Sequence, residues 1–181
     1  MRKVILYAAQ SLDGFIAEKD GSVAFLDTFS DPELTDHGYT DFYRDIDTTL
    51  MGRKTYLQVL GFDMPFPYAD RENFVFTSDR TLKQDKHVRF IVENQASFIS
   101  DVKKKPGKNI WLIGGSELNT FCLENDLIDE IWLFITPLIL GEGIPLFRHF
   151  PPGILLKPVH VKSYASHLCL IRYTVEKQES G

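Results

Sequence analysis

The 181-residue sequence has few features that would indicate a metal site, a disulfide framework or a membrane segment. Its two cysteines, Cys122 and Cys169, and its five histidines lack metal-ligand spacing. We therefore expect both cysteines to be free thiols in a reducing cytosol that pack as small apolar side chains. No apolar run approaches the ~18 residues of a membrane span. Polar residues soon follow the short apolar run at residues 4–9, which predicts a first strand rather than a signal peptide.

The charge pattern is equally plain. The net charge is −5 and no block of like charges occurs, so binding to nucleic acid or to a membrane surface is not expected. We find no linker, internal repeat or low-complexity segment. The length and composition then predict a single cytoplasmic domain over residues 1–176, with a frayed tail at residues 177–181.

Apolar runs and helical patterns alternate along most of the chain. Strands are predicted at residues 4–9, 48–51, 73–77, 88–92, 110–113, 130–136, 159–163 and 168–176. Helices are predicted at residues 53–60, 95–104 and 116–124, and another from Asp31 to about Arg44, with a possible break near Gly38. Residues 10–21, 61–71 and 137–150 are predicted loops. This order predicts an α/β fold with a mainly parallel central sheet, helices on both faces and an antiparallel C-terminal hairpin.

Two predicted strands run into helices through glycine. A helix N-terminus presents unpaired N–H groups and partial positive charge, so it attracts phosphate. Glycine lets a ligand approach the backbone closely. The turns hold Gly52, Arg53, Lys54 and Thr55 in the first case, and Gly114, Gly115 and Ser116 in the second. Each pattern alone also fits a plain strand-helix turn with solvated side chains, and the second lacks the GxGxxG fingerprint.

A third polar turn follows the strand predicted at residues 73–77. Thr77, Ser78 and Arg80 could hold a phosphate monoester through charge-assisted hydrogen bonds, although a simple polar turn is an open alternative. All three turns follow strands that are predicted to be parallel. We therefore expect them to meet at one edge of the sheet.

Four motifs then occur in a fixed order: S-L-D-G-F-I-A at residues 11–17, M-G-R-K-T-Y at 51–56, I-G-G-S at 113–116 and T-P-L-I-L-G-E-G-I-P-L-F at 136–147. With them the chain resembles the dihydrofolate reductase superfamily. It is most similar to the stand-alone branch related to the C-terminal reductase domain of the bifunctional riboflavin-biosynthesis deaminase-reductase. The resemblance implies a dihydrofolate reductase-like fold, NADPH as cofactor and a small-molecule substrate. No H-x-E…C-x-x-C pattern of a zinc deaminase is present.

The resemblance also implies roles for individual residues. Ala9 and Ile16 would contact the nicotinamide through their backbone groups. The implied phosphate-binding residues are Gly52, Arg53, Lys54, Thr55, Gly114, Gly115, Ser116, Glu117 and Leu118. The implied surroundings of the adenosine 2′-phosphate, which would favour NADPH over NADH, are Thr77, Ser78 and Arg80. Many relatives have a cis peptide bond between the two glycines at positions 114 and 115.

The presence of one acid and the absence of another bear on catalysis. Asp13 lies in the loop that would cover the nicotinamide, and it is a candidate for substrate binding or proton relay. Its alternative role is an Asp-Gly turn that caps its own backbone. True dihydrofolate reductases carry a carboxylate on the first helix, but that register falls near Gly38 here, and Asp36 and Asp41 lie out of register. We therefore expect poor folate reduction.

Three functions remain open at this point. The first is an NADPH-dependent reductase of a small flat heterocyclic or carbonyl substrate, because hydride transfer to an activated carbon needs little acid-base help. The second is a nucleotide-binding protein without efficient turnover. The third is a binder of phosphoribosyl metabolites that uses the same turns. The apolar closing hairpin and the loop at residues 137–147 suggest a two-fold homodimer, as in similar proteins.

Overall fold

The computed structural model describes residues 1–29, 35–82, 84–148 and 153–176. Within these residues the strands are β1 (Val4–Gln10), β2 (Phe15–Ala17), β3 (Ile46–Gly52), β4 (Glu72–Phe76), β5 (Arg89–Ile91), β6 (Asn109–Gly114), β7 (Glu130–Ile135), β8 (Ile144–Pro145), β9 (Leu156–Ser163) and β10 (Cys169–Val175). The helices are α1 (Tyr39–Arg44), α2 (Arg53–Leu60), α3 (Gln95–Lys104) and α4 (Ser116–Glu124), with a 3₁₀ helix at Ala24–Phe29. The predicted bounds of α2, α3 and α4 are confirmed.

One sheet contains most of these strands, in the order β5-β4-β3-β6-β1-β7-β10-β9. In this spatial order, the first six strands, β5-β4-β3-β6-β1-β7, all pair in parallel. β10 pairs antiparallel with β7, and β9 pairs antiparallel with β10. The predicted α/β fold with an antiparallel C-terminal hairpin is therefore confirmed. Because parallel strands share a carboxyl edge, the turns that follow β1, β3, β4 and β6 lie at the same edge of the sheet.

Alternation along the strands divides the core between the two faces of the sheet. On one face, Leu6 and Leu50 pack with α3 and α4 in the largest apolar cluster. On the other face, Met51 packs with α2, while Ile5 packs with Phe42 of α1. The helices thus cover both faces, as the sequence predicts. α1 and α2 share the face on which the aromatic residues of β1 and β7 also lie.

For the helix predicted from Asp31 to about Arg44, the end at Arg44 and the break near Gly38 are confirmed. Asp31 lies outside the described residues, and α1 begins only at Tyr39. His37 and Gly38 both have positive φ, 55° and 84°, which interrupts any continuous helix at this point. The Asp36 carboxylate accepts hydrogen bonds from the N–H groups of Gly38 at 2.9 Å and Thr40 at 2.8 Å, and so fixes the start of α1.

Two predicted loops contain short strands. β2 lies within residues 10–21 and pairs antiparallel with β8, which lies within residues 137–150. Leu12 donates a backbone hydrogen bond to Leu138, and Leu146 donates one to Gly14. The described parts of the two loops therefore form one connected layer beside the carboxyl end of β1. Residues 149–150 and the tail at 177–181 lie outside the described residues.

Among the described residues, no helix is both long enough and apolar enough to span a membrane.

Candidate active site

The two glycine turns face each other at the carboxyl edge of the sheet. Met51 pairs with Gly114 across β3 and β6. A Cβ added to Gly52 would lie 3.8 Å from both the Gly114 carbonyl oxygen and the Gly115 nitrogen. A Cβ added to Gly115 would lie 3.2 Å from the Thr55 hydroxyl oxygen. No Cβ stands between the two turns, and the expected convergence of these turns is confirmed.

Both helices that follow these glycines begin where the two turns meet. α2 begins directly after Gly52 and α4 directly after Gly115, and no side chain caps either helix. The Ser116 hydroxyl is buried and has no hydrogen-bond partner among the described residues. The Gly114–Gly115 peptide bond is cis, as the resemblance implies. Free N–H groups, the positive ends of two helices and an unpaired hydroxyl suit an anionic group with several oxygens.

The third turn joins the first through an ion pair. Gly52 pairs with Phe76 across β3 and β4, so residues 77–80 lie next to the start of α2. The Arg53 guanidinium lies 3.2 Å from the Asp79 carboxylate, and that of Arg80 lies 3.1 Å from Glu93. The sequence interpretation found the cations but missed both acids. Asp79 could have been noticed as the acid between Ser78 and Arg80.

The side chains of the other residues implied to bind the cofactor differ in their exposure and in their present partners. Lys54 and Ser78 are exposed, and Thr77 is buried with its hydroxyl accepting a hydrogen bond from the Asp79 N–H at 3.1 Å. Glu117 pairs with Arg148 at 2.6 Å. The Leu118 side chain packs in the core, so it has only backbone groups to offer a ligand.

A shallow cavity adjoins the third turn. Its volume is about 410 Å³, and it is lined by Val92, Glu93, Asn94, Gln95, Ala96, Ser97 and Phe121. The Gln95 side-chain amide donates a hydrogen bond to the Thr77 carbonyl at 3.4 Å, which ties this cavity to the end of β4. The cavity thus continues the row of turns toward the N-terminus of α3.

Asp13 fastens two loops to each other. Its carboxylate accepts hydrogen bonds from the Ser11 hydroxyl at 2.6 Å and from the N–H groups of Leu140 at 3.1 Å and Gly141 at 2.7 Å. The Ser11 hydroxyl, with help from these two N–H groups, holds the pKa of Asp13 below its usual range. A carboxylate that stays ionised and accepts three hydrogen bonds is a poor proton donor near neutral pH, so this geometry favours a positioning role.

Ala9 lies in an aromatic wall on the face that carries α1. Its neighbours in this wall include Tyr7, Phe134 and Tyr164. The Tyr7 ring stacks on Phe42 with centroids 4.1 Å apart and meets Phe134 edge-on at 5.2 Å. Burial raises the pKa of the Tyr7 hydroxyl, which therefore remains protonated. The period of two in β1 could have identified Tyr7, because it shares a face with Ala9.

His37 borders the same wall and was also missed. Its ring lies edge-on to Tyr164 at 4.9 Å, and its Nε2 lies 2.8 Å from the Ser166 hydroxyl. The Tyr164 hydroxyl donates a hydrogen bond to the His37 carbonyl at 2.8 Å. No sequence signal could have found this group, because it joins the segment before α1 to the turn between β9 and β10. Ile16, on β2, is half-buried against the main core.

Several known proteins are similar to this chain over most of its length. YwjB of Bacillus subtilis (strain 168), an uncharacterized protein, is 45% identical over 147 residues, which cover 81% of this chain and 83% of YwjB. A putative riboflavin biosynthesis protein from Shewanella sp. PV-4 is 28% identical with a TM-score of 0.87, and the match covers 97% of this chain and 99% of that one.

A larger protein contains the same fold. The diaminohydroxyphosphoribosylaminopyrimidine deaminase/5-amino-6-(5-phosphoribosylamino)uracil reductase of Thermotoga maritima is 18% identical with a TM-score of 0.67. The match covers 96% of this chain but 56% of the Thermotoga chain, and at this identity it speaks for the fold alone. Residues 2–170 match the family model of the RibD C-terminal domain. The resemblance carried by the four motifs is therefore confirmed, and the chain belongs to the RibD C-terminal domain family.

Proposed function

We propose that the protein is an NADPH-dependent reductase that transfers a hydride to a small flat heterocyclic or carbonyl substrate. The observation that carries the proposal is the pair of glycine turns that meet at the carboxyl edge of the sheet, where the uncapped N-termini of α2 and α4 both begin. Membership of the RibD C-terminal domain family and the likeness to the Shewanella protein support a reductase of the riboflavin-pathway type.

The edge where the two turns meet suits the pyrophosphate of a dinucleotide. A side chain at Gly115 would crowd the Thr55 hydroxyl at the start of α2, and the absence of a side chain there leaves the backbone open to a ligand. The first-turn N–H groups of α2 and α4 would bind phosphate oxygens, and the unpaired Ser116 hydroxyl would donate another hydrogen bond. Arg53 and Lys54 add positive charge at the start of α2. The residues therefore fit the cofactor that the family implies.

The adenosine end fits the third turn. Ser78 and Arg80 are exposed there, beside Arg53, and could bind a 2′-phosphate through charge-assisted hydrogen bonds. Exposed ion pairs such as Arg80–Glu93 contribute little to stability, so their cations can change partner at small cost. The adjoining cavity, with Phe121 in its lining, offers room for an adenine ring.

The chain's own contribution to the reaction is positional. When bound, a nicotinamide cofactor supplies a hydride to an electrophilic carbon. The backbone groups of Ala9 and Ile16 would orient the nicotinamide, and the wall of Tyr7, Phe134 and Tyr164 would exclude water and stack against a flat substrate. The protonated Tyr7 hydroxyl can donate a hydrogen bond to a substrate heteroatom.

A nucleotide-binding protein of the same fold without efficient turnover is the second candidate. The observation that favours it is that the acids nearest to the proposed substrate side already accept hydrogen bonds from the protein. Asp13 is occupied by three hydrogen bonds, and Asp36 is occupied by the start of α1. Steady NADPH oxidation with 5-amino-6-(5-phosphoribosylamino)uracil, the substrate named for the Thermotoga protein, or with a panel of related heterocycles would decide for the reductase. Cofactor binding without oxidation of NADPH by any of them would decide for the second candidate.

The cofactor preference is the first prediction. NADPH should bind about tenfold tighter than NADH or better, a difference of about 1.4 kcal/mol, because Arg53 and Arg80 can engage the additional phosphate. Isothermal titration calorimetry with both cofactors measures the ratio. Arg53→Ala should reduce it, whereas Arg44→Ala, which removes an exposed cation near the C-terminus of α1, should not. Equal affinities of the wild-type protein for the two cofactors would contradict the prediction.

The assembly is the second prediction, and here we propose a two-fold homodimer. β9 is exposed along its whole length, stands at the edge of the sheet and carries the exposed apolar residues Val159 and Val161. An edge strand with exposed apolar side chains is prone to pair with another chain. Sedimentation velocity at micromolar concentration should therefore show a dimer, which Val161→Lys should weaken. A wild-type protein that sediments as a monomer would be inconsistent with this proposal.

A further inference from the structure

The cations proposed to hold the 2′-phosphate each face a carboxylate, and the two carboxylates differ in how firmly they are held. Asp79 faces Arg53, and Glu93 faces Arg80. The Glu93 side chain is 55% exposed, whereas that of Asp79 is 30% exposed. A bound phosphate can displace the more exposed Glu93 easily, because its side chain is free to turn into solvent. The Asp79 carboxylate, by contrast, is held by hydrogen bonds within its own turn.

The turn itself fixes the Asp79 carboxylate. Its Oδ1 accepts hydrogen bonds from the Thr81 N–H at 3.0 Å and the Thr81 hydroxyl at 2.6 Å. Its own N–H donates to the Thr77 hydroxyl at 3.1 Å. The Thr81 hydroxyl is the main cause that holds the pKa of Asp79 below its usual range. The carboxylate is therefore ionised near neutral pH and would remain in place if Arg53 moved away.

The second oxygen of this carboxylate points at the proposed cofactor site. Asp79 Oδ2 accepts the hydrogen bond from Arg53 Nη1 at 3.2 Å, and Arg53 is the first residue of α2, next to Gly52. A 2′-phosphate that binds Arg53 must therefore share this guanidinium with a fixed negative charge. A neutral ribose hydroxyl meets no such repulsion and can donate a hydrogen bond to a carboxylate, as in many NAD-binding sites.

We propose that Asp79 determines cofactor specificity by competing with the 2′-phosphate of NADPH for Arg53. The competition lowers the preference for NADPH over NADH below the value that the cations alone would give. The inference rests on the proposed function, since it requires a nicotinamide dinucleotide at the three turns. It adds a residue that limits the preference, whereas the residues implied by the family resemblance would increase it.

The test is calorimetric titration of wild-type protein and of Asp79→Asn with NADPH and with NADH. Asparagine retains an oxygen that accepts from Thr81 but removes the charge. We expect NADPH to bind about three- to tenfold tighter to the variant, and NADH to bind equally or up to about threefold more weakly, in keeping with a partly exposed charge interaction. Added salt should reduce the gain, because it screens the repulsion that the variant removes.

Matched variants separate this effect from general changes of charge. Glu93→Gln should change the ratio of the two affinities less than Asp79→Asn, because Glu93 is not held by its own turn. Asp101→Asn, which removes an acid paired with Lys104 on α3, should leave the ratio unchanged. In the Arg53→Ala background, Asp79→Asn should lose much of its effect, since the two residues are coupled. Asp79→Ser, which keeps a short acceptor for the Thr81 N–H, provides a second variant should the first fold poorly by circular dichroism.

The possible results lead to different conclusions. A selective gain in NADPH affinity that depends on Arg53 supports the competition. If wild-type protein binds both cofactors and the Asp79 variants leave their affinity ratio unchanged or shift it toward NADH, the inference is overturned and the proposed function stands. If neither cofactor binds to wild-type protein, the proposed function fails, and the inference fails with it.

Discussion

Gly115→Val should weaken NADPH binding by about 100-fold or more, which corresponds to about 2.7 kcal/mol. A Cβ at this position would already lie 3.2 Å from the Thr55 hydroxyl, and the two methyl groups of valine would add bulk at the helix starts where the phosphates are proposed to bind. The backbone of Gly115 has φ −85° and ψ −157°, an extended conformation that any residue adopts. The defect should therefore fall on the approach of the phosphates and leave the fold intact.

Calorimetry with NADPH measures this loss, and circular dichroism and thermal unfolding report whether the fold is retained. Gly115→Ala should cause a smaller loss, because its single methyl group requires only a small shift of the Thr55 hydroxyl. Gly153→Val is a suitable control, since a Cβ at Gly153 meets no described atom within 4 Å. Normal NADPH affinity in a folded Gly115→Val protein would mean that the turn has a purely structural role.

Local signals explain which parts of the fold could be predicted. α2 follows Gly52 and ends before Gly61, and α4 follows the glycine pair and ends near Asn125. Each boundary depends on residues within the element or directly beside it, so the sequence pattern was sufficient. The parallel sheet followed from the alternation of these helices with apolar runs. The meeting of the two glycine turns then followed from the shared edge of parallel strands.

Distant contacts explain what could not be predicted. β2 and β8 are three and two residues long, and they exist because Phe15 and Ala17 pair with Pro145 and Ile144 far along the chain. Such short strands have no period of their own. The start of α1 depends on Asp36 and on the left-handed backbone at residues 37 and 38; the sequence predicted a break near Gly38 but not the capping by Asp36.

The candidate site shows the same division. The glycines and cations at its turns were identified by sequence because these residue types have direct chemical meaning at a helix start. The acids Asp79 and Glu93 were missed. Asp79 stands beside Arg80 in the sequence, but only the folded chain pairs Asp79 with Arg53 at 3.2 Å and Glu93 with Arg80 at 3.1 Å. For Asp13 the sequence left two roles open. Its hydrogen bonds to Leu140 and Gly141 come from a segment more than 120 residues away, and they favour the positioning role.

Dihydrofolate should be a very poor substrate even when NADPH binds. A dihydrofolate reductase delivers a proton to the pterin as well as a hydride, and in that family a carboxylate on the first helix supports protonation. The corresponding register falls near Gly38, which precedes α1 and has no side chain. The buried residue of α1 is Phe42, which stacks on Tyr7, so the side of α1 that faces the wall is aromatic.

The two nearby acids are engaged elsewhere. The Asp41 carboxylate pairs with Arg44 at 2.8 Å, and both side chains are exposed. Asp36 caps the start of α1, and hydrogen bonds from Thr40 and then Gly38 hold its pKa below the usual range of an aspartate. An acid whose pKa is lowered is ionised near neutral pH and becomes a still poorer proton donor as the pH rises. Neither residue can therefore replace the missing carboxylate.

We accordingly expect the rate with dihydrofolate to be reduced by about a thousandfold or more relative to an enzyme that has the acid, equivalent to about 4 kcal/mol of transition-state stabilisation. The assay follows NADPH consumption by absorbance over a range of pH, with a genuine dihydrofolate reductase in parallel and with NADPH binding verified on the same protein sample. That verification matters because it separates a lack of proton delivery from a lack of cofactor. A specificity constant of about 10⁵ M⁻¹s⁻¹ or higher, which is normal for an enzyme on its own substrate, would refute the prediction. In that case Asp36→Asn and Asp41→Asn would identify which carboxylate reaches the pterin, and the start of α1 would have to rearrange on binding, because Asp36 cannot cap Gly38 and Thr40 and serve the substrate at once.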